Sequence, residues 1–172
     1  RYTRQVRLLV RLLPMVAKEP DFALKGGTAI NLFIRNLPRL SVDIDLVFLP
    51  TYDRPEALAA IDAAMKRIAA SVRAEIPGAN VAEQVAEETV LRLLVSAERA
   101  QVKLEVSPVL RGVVREPVVR TVVNAVEESF GFAEAQLVSF EDVYAGKLVA
   151  ALDRQHPRDL FDVRELLASE GL

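Results

Sequence analysis

The chain has no cysteine and a single histidine, His156. A disulfide framework, a thiolate zinc site and a cysteine nucleophile are excluded, and so is a histidine-rich metal cluster. Metal chemistry is left to carboxylates, the donors of Mg²⁺ and Mn²⁺. Basic charge is not in excess either. The 22 Lys and Arg stand against 24 Asp and Glu, a net charge of −2. Contact with nucleic acid therefore has to come from a local patch and not from a general basic coat. No apolar run is long enough to span a bilayer, so no membrane association is expected. Residues 1–20 carry basic side chains throughout and no small-residue cleavage site. No signal peptide is read there, and the cytoplasm is the expected compartment. Internal repeats, low-complexity tracts and disordered linkers are missing too.

The 172 residues are 51% apolar and 27% charged, which suits one compact soluble unit with a real core. Arg1 stands where an initiator Met is usual, so a trimmed terminus is expected. Residues 4–18 have the helical period, with Val6, Leu9, Val10, Leu13 and Val16 on one side and Arg4, Arg7 and Arg11 elsewhere. Phe22-Ala23-Leu24 reads as a short strand entering Gly26-Gly27, and Thr28 as the N-cap of a helix over residues 29–35. From Ser41 to Leu49 the pattern alternates as in a strand. Residues 55–74 read as an alanine-rich helix, and 89–96 with 101–106 as a β-hairpin. Residues 111–126 suggest a loop with one short strand. Ser139 followed by Asp142 has the form of a capping box for a helix to about Arg154. Pro157 opens a last helix, 158–169, which Gly171 is placed to close. The order predicts an α+β fold, a small mixed sheet with flanking helices. Residues 1–137 form its core, and a helical segment, 138–172, completes the site.

Two features point to phosphoryl chemistry. Gly26 and Gly27 let backbone N–H groups at a helix start approach a phosphate. Asp43 and Asp45, one residue apart on a strand, share a face. Aspartate is disfavoured in strands, and two like charges on one face repel unless a cation lies between them. Mg²⁺ binds through a few carboxylates plus substrate phosphates, so a metal-dependent nucleotide site is expected. The plain alternatives are an ordinary strand-to-helix turn for the glycines and a solvated strand face for the acids. Glu105 shares a hairpin face with Lys103 and joins the first two acids only if the strands are neighbours. Tyr144, Lys147, Ala151 and Arg154 fall on one helical face, where a basic stripe can grip phosphate oxygens; a surface lysine is the alternative. Asp159 and Asp162 open the last helix. Either supplies a late catalytic acid, or Asp159 compensates the helix dipole and Asp162 pairs with Arg158 at i,i+4. His156 reads as a structural turn residue.

Taken together, these residues resemble the AbiEii-type, MenT-like nucleotidyltransferase toxins of the DNA polymerase β-like superfamily. The resemblance covers nearly the whole chain. It rests on residues 22–29 (FALKGGTA), 40–46 (LSVDIDL), 103–106 (KLEV), 144–154 (YAGKLVAALDR) and 158–162 (RDLFD). It implies Mg²⁺ (or Mn²⁺) held by Asp43 and Asp45, and the third acid beside them is Glu105, Asp159 or Asp162, with Glu105 the candidate metal ligand. Gly26, Gly27, Thr28 and Ser41 would lie at the nucleotide, with Arg154. Lys147 would be the essential lysine, and Asp159 or Asp162 the acid of the last motif. It further implies transfer of a nucleoside monophosphate from an NTP to an acceptor, the 3′ end of tRNA for some members, and a cognate antitoxin. Relatives of this kind are longer, with a further helical region, which bears on acceptor recognition. Three other readings stay open: nucleotidylation of a protein Ser, Thr or Tyr, a catalytically idle binding module of the same fold, and a metal-dependent glycosyltransferase.

Overall fold

The computed structural model describes residues 2–170, so a helix closure at Gly171 lies outside the described residues. Helix α1 (Tyr2–Val16) is strongly amphipathic and buries Val6, Leu9, Val10, Leu13 and Val16. β1 (Phe22–Lys25) follows a tight turn. α2 begins at Gly26–Ala29 and widens into a π-helical turn over Ile30–Ile34, closed by an Arg35 N–H to Ile30 carbonyl bond of 2.8 Å. β2 (Asp43–Phe48) is next, then α3 (Arg54–Glu75), capped by the Asp53 carboxylate, which accepts from the Glu56 N–H. β3 (Asn80–Ala86), β4 (Thr89–Ala97) and β5 (Ala100–Val106) form a meander. Both of its turns carry two consecutive left-handed residues, Glu87-Glu88 and Glu98-Arg99, the geometry that matches strand twist in two-residue hairpins. β6 (Val118–Thr121), α4 (Asn124–Phe130) and β7 (Glu134–Leu137) lead to α5 (Phe140–Arg154) and α6 (Pro157–Glu170).

The strands make one mixed sheet in the order β3-β4-β5-β2-β1-β7-β6. β2 is antiparallel to β1 and parallel to β5. Its alternation sorts the two faces. Ile44, Leu46 and Phe48 point into a core shared with Leu24, Leu93, Leu104 and Val106. α1 and α3 pack against that sheet and against each other. The opposite face carries Asp43 and Asp45, and α5 and α6 pack together with α5 against α2.

One expectation changes, and two stretches hold elements that were not expected. Thr28 is not an N-cap, because the helix already starts at Gly26 with no side-chain cap. Residues 80–86 form a strand that shows no apolar alternation, since β3 is an edge strand exposed along nearly its whole length. The short strand expected within 111–126 is present as β6, wholly exposed, but the stretch ends by entering α4, a short helix without a side-chain cap, and β7 follows. By contrast, Ser139 caps α5 as expected, accepting from the Asp142 N–H at 3.1 Å.

Candidate active site

The sheet pairing decides where the acids go. In the parallel register Asp43 sits opposite Lys103, and Asp45 opposite Glu105. Lys25 on β1 pairs with Asp45 from the other side, and Arg92 on β4 pairs with Glu105. Directly paired residues project to the same face. One row across four strands therefore reads Lys25, Asp45, Glu105, Arg92, with Asp43 and Lys103 in the adjacent row. The adjacency on which Glu105 depended is thus present.

Within this array the acids differ. Glu105 is committed: Lys103 Nζ lies 2.7 Å from Oε2, and the Arg92 guanidinium donates to Oε1. Burial raises its pKa, but these hydrogen bonds and charges outweigh burial and hold it below the usual glutamate value. Asp43 and Asp45 have no ion pair within 4.0 Å among the described residues. The Asp45 carboxyl is pushed up, chiefly by burial and then by the charges of Asp43 and Glu105, against the opposing pull of Lys103 and Lys25. Among the described residues no three acidic or histidine side chains are gathered as a metal cage. The donor set is two free aspartates, which fits Mg²⁺ completing its shell with substrate oxygens and water.

The glycines are packed onto these groups. Gly26 has φ +72, and a Cβ there would lie 2.9 Å from Asp45 Oδ2. A Cβ on Gly27 would lie 2.8 Å from Arg39 Nη2 and 3.2 Å from Ser41 Oγ. The Thr28 hydroxyl donates to the Asp43 carbonyl (2.5 Å) and lies 2.9 Å from the Ser41 hydroxyl, and Asn31 Nδ2 donates to the Gly27 carbonyl (2.7 Å). Thr28 and Ser41 are buried and tie the start of α2 to the strand bearing Asp43.

Across the cleft, Lys147 is buried at 7% exposure, not on the surface. Its Nζ lies 2.8 Å from Asp159 Oδ1 and 3.1 Å from Asp162 Oδ2. Arg39 grips Asp162 with two bonds, 2.8 and 2.5 Å, and Arg154 reaches Asp159 at 2.9 Å. Asp162 thus pairs with Arg39 and Lys147 in place of the i,i+4 partner Arg158. Burial raises the Asp159 carboxyl, but the Lys147 hydrogen bond and the Lys147 and Arg154 charges pull it below the ordinary value. Tyr144, also buried, accepts from Arg35 Nε at 3.0 Å and stacks on Phe140.

A polar cleft of about 340 Å³ runs between the two sides, lined by Gly27, Arg39, Ser41, Asp43, Asp45, Lys103, Glu105, Lys147, Arg154 and Asp159, with His156 and Arg158 at the α5–α6 turn. His156 stays a turn residue, its Nδ1 accepting from the Arg158 N–H at 3.2 Å. A second cleft of about 460 Å³ continues from Gly26, Gly27 and Asp45 along Val143, Gly146, Lys147 and Ala150 of α5. Nearly every residue singled out in the sequence lines one of these walls, Thr28 and Asp162 lying just behind them. Arg39, Lys25 and Arg92 were not singled out. Arg39 stands in a loop where no periodicity marks it, and Lys25 and Arg92 gain meaning only through strand pairing.

The structure resembles MenT4, a nucleotidyltransferase toxin from Mycobacterium tuberculosis H37Rv, with a TM-score of 0.68 and 17% identity. The match covers 97% of this chain and 59% of that one, so the chain spans about three-fifths of that toxin's length. A looser likeness, TM-score 0.47 at 19% identity over 98% of this chain and 90% of the other, is to ANT(2″)-Ia in complex with adenylyl-2″-tobramycin. No curated protein sequence matches. The fold is therefore a nucleotidyltransferase fold, and no helix among the described residues is long and apolar enough to cross a membrane. Residues 7–172 match the family described as nucleotidyl transferase AbiEii toxin, type IV toxin–antitoxin system, and the chain belongs to that family.

Proposed function

We propose that the protein is a Mg²⁺-dependent nucleotidyltransferase toxin that moves a nucleoside monophosphate from an NTP to an acceptor hydroxyl, the 3′ end of tRNA being the leading acceptor. Its activity would be held in check by a cognate antitoxin in the cytoplasm. The carrying observation is the pair Asp43 and Asp45, two carboxylates without ion pairs that face a cleft walled by cations.

In the proposed reaction the acceptor oxygen attacks the α-phosphorus, the bond to the β-phosphate oxygen breaks, and pyrophosphate leaves. Asp43 and Asp45 would hold the metal, with Glu105 as the nearest further acid. The metal, when bound, supplies charge neutralisation at the phosphoryl oxygens undergoing transfer. Lys147 and Arg154 would face the phosphate chain, with Arg39 beside the Gly27 backbone. The N–H groups of Gly26 and Gly27 are open to phosphate because neither residue carries a side chain. Ser41 and Thr28 keep that turn in register with Asp43. Asp159 and Asp162 touch Lys147, so they would act as positioning residues for its ammonium, and Glu105 is left to take the acceptor proton or to complete the metal shell. The cleft beside α5 offers Val143, Gly146, Val149 and Ala150 between charged side chains, an apolar strip on which a nucleoside could lie.

The test is incubation with each labelled NTP, Mg²⁺ and total RNA, comparing the wild type with Asp45→Ala. Label on RNA that disappears in Asp45→Ala supports the reading. Label that survives the substitution rejects the metal assignment, and label on protein alone moves the acceptor to a Ser, Thr or Tyr side chain. No label with any NTP leaves the fold as a binding module.

A further inference from the structure

We propose that Lys103 is the resident counter-ion of the sheet-face carboxylates, and that a divalent cation held by Asp43 and Asp45 displaces it. The inference rests on the metal reading above. Lys103 occupies the one basic position inside the array: it pairs with Asp43 across β2 and β5, and it is one residue removed from Glu105 on its own strand face. The other cations of the array, Lys25 and Arg92, stand at the two ends of the row. Lys103 Nζ is 2.7 Å from Glu105 Oε2, and its side chain is 32% exposed.

The electrostatics agree with that placement. Burial works against the Lys103 ammonium, yet the hydrogen bond to Glu105 and the charges of Glu105, Asp43 and Asp45 outweigh it and raise its pKa. It is a permanent monovalent charge among three acids. A divalent ion beside Asp43 and Asp45 takes over the attraction that these acids exert on Lys103 and adds repulsion of its own. Glu105 does not need Lys103 to remain neutralised, because Arg92 binds its other oxygen. Lys103 also lines the same polar cleft as Lys147 and Arg154. The displaced ammonium therefore has an anionic partner as soon as a triphosphate is present. Metal and nucleotide then bind with positive coupling, each removing part of the cost of binding the other. Lys103 in this role keeps the acids from repelling one another in the empty site, and it weakens metal binding in the absence of nucleotide.

The test measures binding of Mn²⁺ alone, by calorimetry or by the electron paramagnetic resonance of free Mn²⁺, to the wild type, Lys103→Met and Lys103→Arg. Removing one unit charge from the array should tighten Mn²⁺ binding by roughly tenfold or more in Lys103→Met. Lys103→Arg, which keeps the charge, should bind like the wild type. In chelator Lys103→Met should melt below the wild type, and the gap should close as Mn²⁺ is added. Lys103→Gln, with a polar head of similar reach, should show the same tightening if the Met variant is poorly folded. Mn²⁺ binding to Lys103→Met and Lys103→Gln that is no tighter than to the wild type overturns the inference while leaving the metal reading standing. No Mn²⁺ binding by any of the proteins, the wild type included, overturns both.

Discussion

Asp159 and Asp162 on α6 face the same cleft as Asp43 and Asp45 on β2, and the chain treats the two pairs in opposite ways. The α6 acids are buried, and each is bonded to two cations, Lys147 with Arg154 in one case and Lys147 with Arg39 in the other. The β2 acids have a glycine packed on one and, among the described residues, no ion pair on either. On the reading proposed above, a buried acid with both partners in place serves to fix another side chain. On the same reading Asp45, its carboxyl pushed up by burial and by the charges of Asp43 and Glu105, lies where an ion from outside would bind. The difference separates the part of the cleft that the protein neutralises from the part left to ligands.

Substitutions on the two sides should fail in different assays, and the clearest case is Asp45→Ala. Transfer should fall about 10³-fold or more, the scale expected when a group that acts on the transition state is lost. Its fold should survive, and in chelator its thermal midpoint should match or exceed that of the wild type. A marked loss of stability in chelator would erase the contrast. Lys147→Met should lose stability as well as transfer. Asp159 keeps Arg154 and Asp162 keeps Arg39, so the loss should fall below the roughly 3–5 kcal/mol of a fully broken buried pair, read by urea denaturation, while Mn²⁺ binding is retained if the protein is assayed below its transition.

Smaller effects sharpen the same contrast. Asp159→Asn should cost about 2 kcal/mol at neutral pH, because bonds to charged groups are worth roughly 1.5–3 kcal/mol. The folded pKa of Asp159 is depressed, so its contribution is complete above the ordinary carboxylate value and is lost as pH falls through the lower folded value. Asp159→Asn should therefore show a shallower loss of stability in acid than the wild type, measured by denaturation at stepped pH. Gly26→Ala comes last, at about 1–2 kcal/mol for a left-handed residue with a Cβ. Its side chain would press on Asp45 Oδ2, so Mn²⁺ binding should weaken even where the fold tolerates the change.

Much of this was legible in the sequence, for a definable reason. β2, α1, α3 and α5 announce themselves because each buries a regular stripe or carries a side-chain cap, and buried periodicity is the strongest local signal. Asp43 and Asp45 stand out because they interrupt such a stripe. β3 and β6 are the two edges of the sheet, exposed along most of their length, so β3 leaves no alternation to read and β6 is legible only as a short strand without fixed bounds. Site residues divide in the same manner. Lys147 and the acids of α6 were found from helical spacing and from the resemblance to known nucleotidyltransferases. Arg39 reaches Asp162 across 123 residues, and Lys25 and Arg92 meet the acids only through strand register. For the α6 acids the sequence leaves two roles open, catalytic or structural, and the bonds to Lys147, Arg154 and Arg39 favour the positioning role proposed above.

The route of the chain through the cleft also sets a clock on the ribosome. The carboxylate half is complete once β5 has been made, and Lys147 follows on α5. Both side-chain carboxylates that hold Lys147 belong to α6. Domains fold as units while synthesis proceeds from the N-terminus. A nascent chain can therefore have its acids arrayed and its lysine translated and still lack the geometry for transfer. Under the proposed function a working site would form only after α6 has emerged, which would leave a neutralising partner the preceding synthesis in which to engage.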